Sequence, residues 1–399
     1  MPDYLAAFRC IGSPCEDNCC IGWDVDFDRA SYEKYQRVRA GELGRLIKSC
    51  VRPNPDAFSD AVDYATVRLK KDKVCPFLNE AHLCRIQLEK GEGWLSNVCA
   101  TYPRYTNRVD GVFEHSATVS CPEAARLILQ RPEGIQFTGG EEPAGTRTIL
   151  TYAVNTGDKG HPPRVRHLKA LRDYAIRCLQ NRAQPLEERL LTLGAFLEAF
   201  ERQGAWSPQG LQELIAKPLP KPEPRTRRTG GDAAGAARLQ LMAELTAKLN
   251  VFSEVDSRRY IAYFQEYQKG IGASARPADG VRRLAEAQDR YLNPFLAQHG
   301  YLLENYLVNF IFKDLFPAAE GQSAFDAYTL LVTRYVLIRL HLTGIAAHRG
   351  RLTEAEAVSF VQAFSKTVEH HKTYLETISA HMARRHYNTL AHMGLLLEI

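Results

Sequence analysis

The sequence predicts a mainly α-helical protein in which an irregular, cysteine-rich metal or iron–sulfur N-terminal domain precedes a multi-helix body. Nine of the ten cysteines lie before residue 125, and eight of them, all but Cys50, are clustered among short apolar runs interrupted by proline and glycine. After residue 164, apolar residues recur at the spacing of one helix face. Strand signals are few and short. We therefore expect a cysteine-rich domain at residues 1–137 and a helical domain at residues 164–399.

The composition indicates a folded protein that stays in the cytoplasm. Of the 399 residues, 45% are hydrophobic and 24% are charged, so the chain can bury a core and lacks the bias of disordered proteins. The net charge is +5 and the charges are well mixed, which argues against a nucleic-acid partner. The start, Met1-Pro2-Asp3-Tyr4, lacks the basic and apolar regions of a signal peptide.

The longest apolar stretch, residues 328–347, predicts a buried helix and not a membrane span. It contains Arg334, Arg339 and His341. Placing these groups in hydrocarbon would cost several kcal/mol, so we expect no membrane insertion.

The body is predicted as a series of helices with identifiable ends. Residues 165–203 have the pattern of an antiparallel helical pair separated at Gln184-Pro185. Residues 217–236 are rich in proline and basic residues and predict a flexible loop; its charge could meet an acidic partner, although an exposed connector is the simpler interpretation. Residues 302–311 predict a helix that stops before Pro317. Thr353 and Glu356 predict a capping box at the start of the next helix.

The clustered cysteines predict a metal centre, because in a reducing compartment such clustering favours metal binding over disulfides. Four thiolates can hold one zinc ion or one 4Fe-4S cluster. Eight cysteines exceed that need, so four or fewer are expected to ligate one cluster. The others could form a second site, form a redox pair or pack as small apolar groups. The candidate ligands are Cys10, Cys15, Cys19, Cys20, Cys75, Cys84, Cys99 and Cys121.

The cysteine spacing does not identify the metal. The Cys15-x3-Cys19 spacing matches the start of a radical S-adenosylmethionine loop, but Gly22 stands where that loop has its third cysteine. The chain also has no Cys-x2-Cys knuckle of the kind that zinc fingers use. Zinc and iron–sulfur ligation both stay open at this point.

Motifs along most of the chain resemble the flagellin lysine-N-methylase family. The cysteine part also resembles the broader putative zinc- or iron-chelating domain family. The matching segments are Phe8-Arg9-Cys10, Cys15-Glu16-Asp17, Cys19-Cys20-Ile21-Gly22-Trp23, Cys75-Pro76-Phe77-Leu78, Ser120-Cys121-Pro122-Glu123-Ala124-Ala125-Arg126, Leu179-Gln180-Asn181-Arg182, Glu304-Asn305-Tyr306-Leu307, Phe316-Pro317 and Glu369-His370.

This resemblance implies methyl transfer from S-adenosylmethionine to lysines on the surface of flagellin, by an enzyme with a 4Fe-4S cluster that binds or positions the donor. The chain shows no Gly-rich turn after a strand, so a nucleotide site of the usual α/β kind is not expected. A lysine amine with a pKa of about 10.4 must lose its proton before it attacks the methyl group.

Candidate site residues lie near the cysteine motifs and in the helical body. We expect Tyr102, His115 and Glu304 as catalytic candidates and Trp23, Glu16 and Asp17 as donor-binding candidates, because aromatic faces and carboxylates can hold a sulfonium cation. Tyr105, Glu114, Tyr306 and His370 are weaker candidates. Each also has a plain structural interpretation, as a core aromatic residue or as a group that orients a metal ligand. A metal-stabilised, non-catalytic protein-binding module and an iron–sulfur redox protein remain alternatives.

Overall fold

The chain divides into two compact units. A computed structural model describes residues 1–141, 147–203, 207–217, 232–251, 255, 257–272, 277–371 and 373–398. The first unit, here called the cysteine-rich unit, comprises Met1–Leu127 and Gln136–Ala153. The second, the helical unit, comprises Ile128–Ile135 and Val154–Ile399. The domain limits expected from the sequence stay a prediction.

The cysteine-rich unit consists of short helices and two small sheets. One sheet has the strand order β1-β3-β2, and both of its pairings are antiparallel. The other has the order β5-β4-β6, in which β4 and β5 form an antiparallel hairpin. The strands are β1 (Asp26–Phe27), β2 (Val51–Pro53), β3 (Ala65–Val67), β4 (Arg104–Val109), β5 (Val112–Ala117) and β6 (Leu150–Val154). The α-helices are α1 (Arg29–Gln36), α2 (Gly41–Cys50), α3 (Arg85–Lys90), α4 (Asn97–Thr101) and α5 (Pro122–Leu129), whose last two residues belong to the helical unit.

An aromatic and aliphatic core holds the first sheet against α1 and α2. Phe27 and Tyr35 pack edge to face with ring centroids 5.0 Å apart, and Phe77 lies 6.2 Å from Phe27. Cys50 and Cys75 are buried in the same core. Cys75 is therefore held in position by the packed interior of this unit.

The helical unit confirms the mainly α-helical fold class that the sequence predicts. Its helices are α6 (Pro163–Arg166), α7 (Leu168–Gln180), α8 (Leu186–Gln203), α9 (Pro208–Ala216), α10 (Asp232–Ala247), α11 (Arg258–Ile271), α12 (Pro277–Ala287), α13 (Asn293–His299), α14 (Tyr301–Lys313), α15 (Ala324–Arg349), α16 (Glu354–Val368), α17 (Tyr374–Arg384) and α18 (Leu390–Leu397), with a π-helical turn at Gln288–Leu292.

The central helix of this unit is α15. It is the one helix among the described residues that is long and apolar enough to cross a membrane, but 94% of its apolar window is buried inside the protein. Its two inner arginines are paired: Arg334 donates to Glu320 at 2.7 Å, and Arg339 donates to Glu187. The prediction of a buried helix at residues 328–347 is confirmed.

Close backbone contact fixes α15 against α11. A Cβ atom on Gly270 would lie 1.8 Å from the carbonyl oxygen of Gly344, so no larger residue fits there without moving a helix. On another side, a Cβ atom on Gly194 of α8 would lie 2.4 Å from the ring of Tyr328. Glycines at these crossings let the helices approach closely.

Most of the predicted helix boundaries are observed. The α7–α8 pair has its break before Leu186, α14 ends at Lys313 ahead of Pro317, and Thr353 and Glu356 form the predicted capping box. The predicted loop at residues 217–236 differs at its end. Residues 218–231 lie outside the described residues, but α10 begins at Asp232, because alanines and leucines after the glycines favour a helix.

Candidate functional site

Seven of the eight candidate ligand cysteines converge in the cysteine-rich unit. The Cys20 thiol lies within hydrogen-bonding distance of both Cys19 and Cys75, and the Cys75 amide donates to the Cys20 carbonyl at 2.9 Å. The remaining members lie within electrostatic reach of Cys19, and they are Cys15, Cys84, Cys99 and Cys121. Cys10 is exposed. We call these seven side chains the thiol cluster.

Burial and mutual repulsion keep most of these thiols protonated. Burial raises the pKa of Cys15 and Cys84, and it raises the pKa of Cys99 and Cys121 to about 12. This holds for Cys99 although the residue as a whole is exposed, because its sulfur is surrounded by protein atoms. Within the Cys20–Cys75 pair, hydrogen bonding to Cys19 and Cys75 raises the pKa of Cys20, whereas the bond from Cys20 lowers the pKa of Cys75. Cys20 therefore keeps its proton more firmly than Cys75 does.

Backbone amides donate hydrogen bonds to several of the sulfurs, and these bonds lower the pKa of the thiols. Cys84 accepts from the amides at the start of α3, and Cys121 accepts from the first turn of α5. The Phe77 amide faces Cys75 in the same way. Such N–H···S hydrogen bonds stabilise the thiolate form, so a bound cation would find ligands that are already oriented.

The arrangement is not a closed metal site. Within the described ranges, no group of three or more His, Cys, Asp or Glu side chains has the spacing to hold a metal ion. The donor set suits zinc or an iron–sulfur cluster chemically, because it consists of clustered thiols with oriented amides. The metal ligands therefore stay a prediction.

An aromatic pair borders the thiol cluster. Trp23 and Tyr102 pack edge to face with centroids 5.2 Å apart, and the Trp23 indole donates to the Cys19 carbonyl at 2.6 Å. The Tyr102 hydroxyl is 3.1 Å from the Ser120 hydroxyl. Burial and the nearby Cys121 raise the pKa of Tyr102 well above its usual range. Tyr102 is therefore protonated near neutral pH, where it can donate a hydrogen bond but cannot serve as a base.

The two acidic candidates beside the cysteines have different surroundings. Glu16 accepts from Arg126 at 2.5 Å, and Arg126 also binds Glu123 at 2.9 Å. This bridge joins the segment after Cys15 to the helix after Cys121. The Asp17 amide donates to the Cys15 sulfur, and the Asp17 carboxylate contributes to the raised pKa of Cys15 and Tyr102.

Glu304 lies in the helical unit, where its charge is paired with two arginines. Arg182 donates to both carboxylate oxygens, with its shortest distance 2.8 Å, and Arg189 donates to Oε2 at 2.8 Å. Arg182 also donates to the carbonyl of Pro132, and Asn305 donates to those of Leu129 and Arg131. This network holds residues 129–135 on the helical unit, which gives Glu304 a structural role; its catalytic role stays a prediction.

The other candidates are spread over both units. On the β4–β5 hairpin, His115 Nδ1 is 3.0 Å from the Thr106 hydroxyl, and Tyr105 and Glu114 lie on the same two strands. In the helical unit, Tyr306 donates to Glu369 at 3.2 Å, next to His370. Burial lowers the pKa of His370 to about 4, so it is neutral at physiological pH.

Three residues that organise this site were not assigned a role from the sequence. Ser96 is fully buried, caps α4 and accepts from the Cys99 amide at 3.3 Å. Ser120 pairs with Tyr102, and Arg126 makes the bridge described above. A serine three residues before a cysteine is a capping signal that could have been found; the partners of Ser120 and Arg126 are distant in sequence, so no local pattern indicates them.

The fold and the site define a class of protein: a single chain that contains a cysteine-rich unit with clustered thiols and a helical unit. The family model of the FliB lysine N-methylase C-terminal domain matches residues 172–396, which is more than half of the chain. The chain belongs to the FliB lysine N-methylase family. The resemblance noted from the sequence motifs is confirmed.

Individual relatives agree with this assignment. Proteins named lysine-N-methylase from Salmonella choleraesuis (strain SC-B67) and Salmonella typhimurium (strain LT2) are each 21% identical to it over 96% of this chain and 94% of their own length. A flagellar biosynthetic protein FliU from Salmonella muenchen is 27% identical over 37% of this chain and 84% of its own length. No solved structure matches.

The structural role of Glu304 can be tested by Glu304→Gln. Breaking a buried ion pair leaves uncompensated charge, so we expect a loss of about 3 kcal/mol in the free energy of unfolding. Urea unfolding of the full chain measures it. The matched control is Glu198→Gln, whose exposed pairing with Arg202 spans 3.0 Å and should contribute less than about 0.5 kcal/mol. Equal stability of the two variants would contradict the role given to Glu304.

Proposed function

We propose that this chain is a cytoplasmic protein-lysine N-methyltransferase that acts on surface lysines of flagellin. The methyl donor is S-adenosylmethionine, and a cysteine-ligated 4Fe-4S cluster binds or positions it. Membership of the FliB lysine N-methylase family supports the reaction, and the name of the related FliU protein supports the flagellar substrate. The observation that carries the site is the convergence of the thiol cluster with the Trp23–Tyr102 pair.

The reaction itself needs little from the protein beyond positioning. The lone pair of a neutral lysine amine forms the new N–C bond, and the S–C bond breaks with its electrons passing to sulfur, so that S-adenosylhomocysteine leaves. One proton is released for each methyl group transferred. Since the amine is mostly protonated at neutral pH, a desolvated position that lowers its pKa favours attack.

The residues at the thiol cluster can be given roles in this reaction. The faces of the Trp23 and Tyr102 rings can attract the sulfonium cation. The Tyr102 hydroxyl, held by Ser120, can donate a hydrogen bond to the donor. Ligands for the cluster come from among the seven thiols, and a bound cluster supplies an iron that can take amino and carboxylate groups as ligands.

The proposed activity predicts methyl transfer that depends on Tyr102. Anaerobically purified protein, incubated with methyl-labelled S-adenosylmethionine and flagellin, should place label on flagellin lysines, located by mass spectrometry. Tyr102→Phe removes one hydrogen bond and should lower kcat/KM about tenfold. The matched control is Tyr32→Phe, a half-buried tyrosine of the same unit. Absence of lysine methylation by a metal-loaded protein would refute the proposed enzyme and leave a metal-stabilised binding module.

Binding of a metal ion at the thiol cluster is expected to release protons. Because burial raises their pKa values, Cys84 and Cys99 are protonated at pH 7.5, and each of them that becomes a ligand must release about one proton. Adding Zn²⁺ to metal-free protein with a pH indicator measures the number released. Affinity should fall as pH falls, by roughly tenfold per pH unit for each proton displaced.

Single variants identify the ligands in the same titration. Cys84→Ala and Cys99→Ala should each reduce the count by about one proton. Cys178→Ala is the matched control, because burial also raises the pKa of that thiol, to about 11, but it lies in the helical unit. A metal site in the thiol cluster is excluded if Zn²⁺ releases no protons or if Cys178→Ala lowers the count as much as the other two.

A further inference from the structure

The loop between β2 and β3, residues 54–63, exposes a large aromatic side chain. Phe58 has 82% of its surface in solvent, more than any other large apolar residue that the structure describes. Leaving a phenylalanine in water forgoes the favourable free energy of burying its ring. A single exposed apolar residue needs no explanation by itself, so the argument depends on how this one is held and on the charges around it.

The loop is held in one conformation by its own polar side chains. The Asp63 carboxylate is buried and accepts from the Phe58 amide at 3.2 Å and from the Ser59 amide at 2.9 Å. Asn54 donates to the Asp63 carbonyl at 3.0 Å and accepts from the Asp56 amide at 3.1 Å. Four hydrogen bonds thus fix the backbone on both sides of Phe58. A backbone held in this way loses little conformational entropy when a partner covers Phe58.

The charge of this loop is negative in a chain that is positive overall. Residues 53–67 contain three aspartates and no lysine or arginine, whereas the whole chain has 51 basic and 46 acidic residues. Asp56 and Asp60 are exposed. Arg29 lies 3.2 Å from Asp60 but also binds Glu33 at 3.1 Å, so it offsets only part of the local negative charge. Arg52 and Arg68, just outside the loop, are also exposed, so it is the loop itself, through Asp56 and Asp60, that complements a basic partner.

We propose that the loop of residues 54–63 is a docking element for a lysine-bearing segment of the protein substrate. Phe58 packs against apolar side chains of that segment, and Asp56 and Asp60 face its ammonium groups. The partner is a basic segment with an apolar side, which is the chemistry that an acidic loop with one aromatic anchor recognises. This inference rests on the proposed function, because a lysine methyltransferase must hold a lysine-containing protein.

The test compares Phe58→Ser with Val112→Thr, which changes another exposed apolar residue of the same unit, 61% in solvent. Binding of intact flagellin is measured directly by fluorescence anisotropy, without the methyl donor. Phe58→Ser should weaken flagellin binding about tenfold or more, as the loss of an anchor side chain does. It should raise KM for intact flagellin by a similar factor, whereas a short lysine peptide should show the same KM with both variants. Thermal unfolding checks that each variant is folded.

Asp56→Asn tests the charge. It should weaken flagellin binding at low salt and reduce the dependence of the dissociation constant on salt, because exposed charges are screened. If Phe58→Ser and Val112→Thr bind flagellin equally well, the docking element is overturned while methylation still stands. If the wild-type chain methylates no lysine, the proposed function fails, and the anisotropy comparison still decides whether the loop binds flagellin.

Discussion

Charge compensation among crowded thiols is the constraint on which the cysteine-rich unit depends. Seven thiols near one another cannot all ionise, since each thiolate raises the pKa of its neighbours. The protein can hold protons on them or hold a cation among them. Amides aimed at Cys75, Cys84 and Cys121 favour the thiolate form, which is useful only when a cation is present. This hydrogen bonding is of the kind that the proposed cation needs, although no three His, Cys, Asp or Glu side chains of the described residues are spaced to hold a metal ion.

In the helical unit, buried charges are compensated by side chains of opposite charge. Three of its buried arginines face carboxylates: Arg189 faces Glu304, Arg334 faces Glu320 and Arg339 faces Glu187. Each pair offsets the cost of removing its charges from water, and each joins segments that are distant in sequence. These pairs also explain why charged residues interrupt the apolar pattern of α15 without making it a surface helix.

The sequence predicted those features that depend on local pattern. Helix faces, the break at Pro185 and the capping box of Thr353 and Glu356 arise from residues within a few positions of one another. The site was harder to predict, because its contacts are long-range. Glu304 was a catalytic candidate from the sequence. Its partner Arg182 lies 122 positions away and could not be identified without the fold. The β4–β5 hairpin, with an Asp-Gly turn, had a recognisable signal that the cysteines obscured.

The structural roles of these residues indicate which part of the chain should be examined for catalysis. The family model covers residues 172–396, and within it the family-like residues Arg182, Glu304 and Asn305 bind one another or backbone carbonyls. In this chain these residues therefore have structural roles within the helical unit. In the cysteine-rich unit, Tyr102 stays protonated and cannot take a proton from lysine. In the proposed reaction the lysine amine must lose a proton, and each thiol that binds a metal must release one to solvent, so raising the pH favours both steps. Under the proposed function, solvent can accept the lysine proton, and the enzyme contributes mainly the position of donor and amine.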